Sequence, residues 1–146
     1  MTPLIQQSAR FRTSPRFLFD LYLDSRKHTL STGAPAKIIR KTAGKFTAFG
    51  GLLEGKTLFF VPGKQIVQLW RATHWKKEDW SILILNFSRV AGGAQIDLVH
   101  IGAPSYDQKG VRQGWSKYYW RPWRKYLESK AVATTPGSKR SKGRRQ

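Results

Sequence analysis

Three histidines, eight acids and six tryptophans are the side chains of this 146-residue chain that could do chemistry. A metal site needs several ligands at short, regular spacing, and His28, His74 and His100 stand far apart with no second ligand at a motif distance. A general base needs an oriented partner. His100 shares strand parity with Ile96 and Leu98, so it is expected to point inward, whereas the adjacent Asp97 has the opposite parity. Glu54 and Asp97 are isolated acids, so no paired-carboxylate mechanism can be built. With no cysteine in the chain, disulfides, zinc–thiolate sites, iron–sulfur clusters and a thiolate nucleophile are excluded. The expectation is no catalytic set, no metal and no cofactor.

The aromatic residues offer two other chemistries. Trp70, Trp75 and Trp80 fall in strand-like segments, and Trp115, Trp120 and Trp123 in a helical one. Interleaved with Arg71, Arg121 and Arg124, such rings can stack nucleobases. They can equally form a core or a pocket wall, and the helical spacing favours this second use. Trp120 sits off the main apolar face and is expected to be the exposed ring. Gln68 shares the parity of Ile66 and Trp70, and Asn86 and Ser88 share that of Trp80, Ile82 and Ile84. Polar groups on an apolar face orient ligands in cavities; they also occur as satisfied core groups or on solvated faces.

These residues must be held by recognisable elements. Leu4 to Phe11 can form a first strand. Ser14-Pro15 reads as a helix start, Asp24-Ser25 as a restart and Gly33 as a stop, giving two short consecutive helices. From Ala36 the period changes to two. Strands are expected over Ala36–Arg40, Lys45–Phe49, Leu52–Val61, Gln65–Trp75, Trp80–Val90 and Ala94–Ile101. The short breaks between them predict an antiparallel meander. The run from Ile66 to Trp75 carries bulk at both parities, Ile66 and Trp70 against Val67, Leu69 and Trp75, and so asks for cover on both faces. A long aromatic helix, Gly110 to Glu128, can supply one cover, with a kink expected where Pro122 removes the amide that would bond Tyr118.

Composition sets the outer bounds. The length and the 40% hydrophobic content suit one folded domain. The opening residues, with Arg10, Arg12 and Arg16, lack the apolar centre of a signal peptide, and no window approaches a membrane span. The default expectation is a cytoplasmic protein. The net charge is +19. Lys130, Lys139, Arg140, Lys142, Arg144 and Arg145 lie beyond Glu128, where no acid occurs. Without those six, 21 basic residues face eight acids, so the body through residue 128 remains at +13. The expected division is a domain over residues 1–128 and a disordered basic tail over 129–146. Such charge attracts polyanions non-specifically and in a salt-dependent way.

Several ordered motifs resemble one family. They are Thr32-Gly33-Ala34-Pro35-Ala36, Gly44-Lys45-Phe46, Phe49-Gly50-Gly51 with Gly55, and Pro62-Gly63-Lys64-Gln65-Ile66-Val67 leading into Trp70-Arg71 and His74-Trp75. Gly102-Ala103-Pro104, Gly114-Trp115 and Tyr118-Tyr119-Trp120 complete them. From about Ser14 to Leu127 the chain resembles the domain of proteins named after the activator of the heat-shock-protein-90 ATPase, in its C-terminal-domain type. That family belongs to the START-like (SRPBCC), helix-grip superfamily. The resemblance implies an α+β helix-grip fold: a curved antiparallel sheet of six to seven strands around the C-terminal helix. It supplies no catalytic residues. Stand-alone members are similar to binders of lipids or small molecules, and related helix-grip proteins include cyclases and hydrolases.

Three functional readings follow. The first is a non-enzymatic binding module whose sheet–helix cavity takes a hydrophobic or aromatic small molecule, with Phe46, Gln68, Trp70, Ile82, Ile84, Leu98, Trp115 and Tyr119 as walls. The second is a chaperone co-factor acting through its surface. The third is a cyclase- or hydrolase-like enzyme, which lacks an acid–base pair. Trp70 and Trp115 are expected to approach each other or a common cavity.

Overall fold

Ser14 caps the first helix as expected: its hydroxyl accepts the amide of Phe17, and Pro15 occupies the first turn, where no amide partner is needed. In the computed structural model, residues 4–134 are described. Strand β1 (Leu4–Phe11) precedes two short helices, α1 (Pro15–Leu23) and α2 (Ser25–Thr32). The Asp24 side chain caps α2, and Gly33 ends it at φ 82°, a left-handed conformation natural to glycine.

Six further strands follow: β2 (Lys37–Ile38), β3 (Gly44–Ala48), β4 (Leu53–Val61), β5 (Gln65–Ala72), β6 (Ser81–Val90) and β7 (Gly93–Ile101). All pair antiparallel in the order β1-β7-β6-β5-β4-β3-β2, so the meander closes with the first strand on the edge of the last. Beyond the loop come α3 (Gln108–Trp115), a π-helical segment (Ser116–Trp120) and α4 (Arg121–Thr134). Together these make the expected α+β helix-grip fold of seven strands. The helix continues six residues past Glu128, and residues 135–146, the remainder of the expected tail, lie outside the described residues.

Alternation along each strand sorts side chains into two faces. The inner face carries Ile5, Ala9, Phe11, Phe46, Ile66, Gln68, Trp70, Leu83, Leu85, Phe87, Ile96, Leu98 and His100, all buried. Against it pack Leu18, Phe19, Leu21 and Tyr22 of α1 with Trp115, Tyr119, Trp120 and Trp123 of the C-terminal helix. Gly55 has a positional reason: a Cβ there would strike the Phe46 ring and the Leu69 carbonyl, so the ring of its cross-strand partner lies over bare backbone.

Register corrects the sequence reading of β6. Trp70 pairs with Ser81 and Gln68 with Leu83, so the odd residues of β6 face inward. Ile82 and Ile84 therefore lie on the outer face, along with Asn86, which bonds Gln65, and the exposed Ser88. None of these four can line a space between sheet and helix. Both parities of β6 are apolar, so alternation alone could not choose between them.

Two more expectations change. Strand β5 ends at Ala72, where a turn closed by Trp75 N–H to the Ala72 carbonyl (3.0 Å) carries Trp75 back over Trp70, with ring centroids 5.6 Å apart. Trp75 thus joins the core rather than the face of Val67 and Leu69. Trp120, expected to be exposed, is buried. Pro122 has no amide and its ring crowds the preceding turn, so the helix widens to a π turn, in which the Arg121 N–H reaches the Ser116 carbonyl. The widened turn brings Trp120 beneath Trp115, five positions earlier, stacked at 5.6 Å and 23°, and its indole N–H donates to Gln7 Oε1 (3.1 Å).

Candidate functional site

The aromatic grip does not close completely. At the end where β5 runs out and α3 begins, a cavity of about 350 Å³ remains open to solvent on one side. Trp70 and Ala72 of β5 and Leu53 of β4 form its sheet wall. Phe49 and Leu52 come from the connecting 3-10 turn (Phe49–Gly51) and its end, Val111 and Trp115 from α3, and Tyr118 and Tyr119 from the π segment. Gly110 and Gly114 leave the helix side bare, and a Cβ on Gly114 would meet only the Tyr118 ring, at 3.5 Å. Phe49 has φ 53°, a left-handed value unusual for an aromatic residue, which Gly50 and Gly51 continue. The turn thereby swings its ring against Tyr118 (5.6 Å) and Tyr119 (5.5 Å).

Polar groups are confined to the rim. His74 Nε2 lies 3.4 Å from Asp107 Oδ2, and the same oxygen accepts the Trp75 indole N–H at 2.8 Å. The loop that carries His74 and Trp75 is held by Arg71. Its guanidinium pairs with Glu54 and donates to the carbonyls of Trp75, Lys76 and Asp79. The half-exposed Trp80 ring lies over that guanidinium at 5.3 Å.

Beneath the cavity, two buried histidines lock the aromatic floor. Trp115 Nε1 can only donate, so His100 Nδ1 accepts (3.2 Å); Nε2 then carries the proton and donates to Ser81 Oγ (2.8 Å), whose hydroxyl donates to the Trp70 carbonyl (2.6 Å). His28 is fixed by the same logic: Nδ1–H donates to the Tyr22 carbonyl (2.7 Å), and Tyr119 O–H donates to Nε2 (2.9 Å). Burial pulls His28 down to about 4 and His100 to about 3, so both are neutral at pH 7. Tyr22 O–H donates to Gln68 Oε1 (2.7 Å), and Gln68 donates on to Thr57 (3.1 Å). Burial holds the Tyr22 and Tyr119 hydroxyls well above their ordinary range. The Trp70 indole N–H, buried near Tyr22, completes no hydrogen bond.

Of the eight wall residues read from the sequence, Trp70, Trp115 and Tyr119 line this cavity. The Trp70 and Trp115 rings meet at 6.0 Å. Phe46, Gln68 and Leu98 face inward but are sealed in the core, and Ile82 and Ile84 are on the far side of the sheet. Sequence reading missed Phe49, Leu52, Leu53, Val111 and Tyr118 as lining and the His74–Asp107 rim. The Phe49-Gly50-Gly51 turn was the available signal. Among the described residues no group of His, Cys, Asp or Glu is arranged to hold a metal.

With this geometry in place, comparison with known proteins is decisive. The pattern of the family described as "Activator of Hsp90 ATPase homolog 1-like protein" matches residues 11–128. The chain belongs to that family. A human relative named "Activator of 90 kDa heat shock protein ATPase homolog 1" is 30% identical over 109 residues, covering 75% of this chain and 32% of the relative. A Dictyostelium discoideum relative of similar name is 27% identical over 118 residues, covering 80% and 30%. The chain thus spans about a third of the curated relatives it matches. Among solved structures, one described as an HSP90 activator from Plasmodium falciparum superposes with TM-score 0.78 at 23% identity, covering 86% of this chain and 96% of that one. A Chromobacterium violaceum protein follows at TM-score 0.70 and 19% identity, with the same coverage. At such identities these two likenesses speak for the helix-grip fold. For this family member, no helix of the described residues is long and apolar enough to cross a membrane.

Proposed function

We propose that this chain is a co-factor of a 90 kDa heat-shock-protein chaperone and acts through a protein-binding surface. The observation that carries this reading is the family match over residues 11–128, together with relatives named for activation of that chaperone's ATPase. The two buried histidines are engaged in fixed neutral networks and are not free to act as bases, and the Asp107 carboxylate beside His74 on the cavity rim is already taken by the Trp75 indole N–H. The test is titration of the purified chaperone from the same host with this chain, following binding by calorimetry and ATP turnover by phosphate release. Saturable binding with altered turnover is expected. No binding up to concentrations on the order of 100 µM, about −5.5 kcal/mol, would remove this reading.

The cavity supports a second reading, a site for a hydrophobic or aromatic small molecule. Its volume falls within the range of small-ligand pockets, and its walls are rings with polar groups only at the rim. N-phenyl-1-naphthylamine is a suitable neutral probe. Gly114→Leu would fill the space from the helix side. If the probe binds wild type and this variant equally, the cavity is not the binding site.

A further inference from the structure

Helices pack against the inner face of the sheet, leaving only the cavity beside Trp70, and among the described residues none packs against the outer face. Cross-strand register lines up Phe59, Val67, Ile84 and Val99 in one row over β4, β5, β6 and β7. Beside it runs a second row, Leu69, Ile82, Ile101 and Leu4, over β5, β6, β7 and β1. Both helical layers pack against the opposite face, so among the described residues no helix covers these rows. Phe59 and Leu4 are each 46% exposed. An antiparallel sheet with one wet face normally alternates apolar-in and polar-out; here five adjacent strands contribute apolar residues to the outer face.

Charge indicates what fits there. The second row continues into β4 and β3 as Lys56 and then Lys45, directly opposite each other in register. Neither has an acidic partner among the described residues, and like charges facing across a ladder destabilise it. On the other flank Trp80 lies 41% exposed over Arg71. Apolar centre, tryptophan anchor and polar rim are the parts of a protein interface. The apolar rows are unsuited to nucleic acid, whose outward face is phosphate. A second copy is disfavoured because each chain carries +19. Residues 135–146 carry five basic side chains and no acid, so they lack the chemistry to neutralise the lysine pair.

The geometry points to the outer sheet face as the docking surface for the chaperone partner, which must present apolar side chains flanked by carboxylates next to the Lys45–Lys56 pair. This inference rests on the co-factor reading above.

One variant separates docking from folding. Lys56→Glu puts an acid opposite Lys45, so it should melt at or above wild type while weakening chaperone binding roughly tenfold. Trp80→Ala should weaken it by a similar or larger factor. Arg121→Glu with Lys125→Glu, exposed on the C-terminal helix, should change it less than about twofold. Calorimetry with the purified chaperone at two salt concentrations reads all of these, with circular dichroism melts alongside. Wild-type binding that survives both outer-face variants overturns the inference and leaves the co-factor reading standing. Absence of wild-type binding removes both. Competition by vesicles of phosphatidylserine and phosphatidylcholine would instead assign the face to a membrane surface. A sedimenting dimer abolished by Ile84→Gln would assign it to a second copy. Either result overturns the inference.

Discussion

Trp70 is the residue on which the cavity and the core meet. Its ring touches Trp75, Trp115 and His100, and it is 4% exposed although it lines the void. Trp70→Ala is therefore expected to cost about 3–5 kcal/mol in a urea melt, as for a buried aromatic truncation. A loss below about 1 kcal/mol would mean that the ring is mainly a pocket wall. The histidines make a separate prediction, in acid. At pH 7 His28 and His100 are neutral in the folded chain and mostly neutral in the unfolded one, so they add little pH dependence. Below about 6.5 the unfolded chain takes up protons that the folded one refuses, because the buried rings hold out to about 4 and about 3. Stability should then fall with pH by about 1.4 kcal/mol per unit for each ring, levelling off only near those lower values. A proton on His100 Nδ1 would face the Trp115 N–H donor to donor, which gives the loss its local cause. His100→Gln should flatten the slope between pH 6.5 and 4.5. An unchanged slope would show that this ring titrates normally in the folded state.

Among the elements, the loop after β5 depends most on a single side chain. Arg71 is 7% exposed, pairs with the half-exposed Glu54 and ties down three carbonyls. Arg71→Met keeps the apolar stem but strands those partners, and it is expected to cost about 2–4 kcal/mol; the exposure of Glu54 keeps the loss below that of a fully buried pair. Amide exchange in residues 73–80 should rise with it. Protection unchanged there would mean that the Trp75 stacking alone holds the loop. These elements also mark what the sequence disclosed. Two caps, a left-handed stop and period-two runs bounded by turn residues were local signals, so both short helices and all seven strands were legible. The turn after Ala72 was not, since Thr73 and His74 carry no turn signature and the apolar pattern continues to Trp75. Trp70, Trp115 and Tyr119 were legible as lining because strand parity and helical spacing agree on them. Ile82 and Ile84 were misplaced because β6 is apolar at both parities and only pairing with β5 selects the inner one. Trp120 was misread because helical phase was carried unchanged through a segment that Pro122 widens.

At the scale of the whole molecule, charge outweighs every single contact. The chain carries +19, with Arg121, Arg124, Lys125 and Lys117 exposed along the C-terminal helix. Binding to duplex DNA at low salt is therefore expected, and it should be sequence-blind. The helix tryptophans that could have stacked on bases, Trp115, Trp120 and Trp123, are all buried, and with only scattered rings such as Tyr118 and Trp80 exposed, phosphate contact is the main chemistry. With several phosphates neutralised, affinity should fall by about a hundredfold or more between 50 and 200 mM salt. Two unrelated duplexes of equal length should bind within about twofold of each other at every salt concentration. Fluorescence anisotropy with labelled duplexes reads both quantities. A tenfold preference for one sequence at physiological salt would require base-edge contacts from side chains now assigned to bulk electrostatics. Weak, salt-sensitive, sequence-blind binding would leave the charge free to steer an acidic protein partner onto the chain, where the same salt dependence should appear in the association rate.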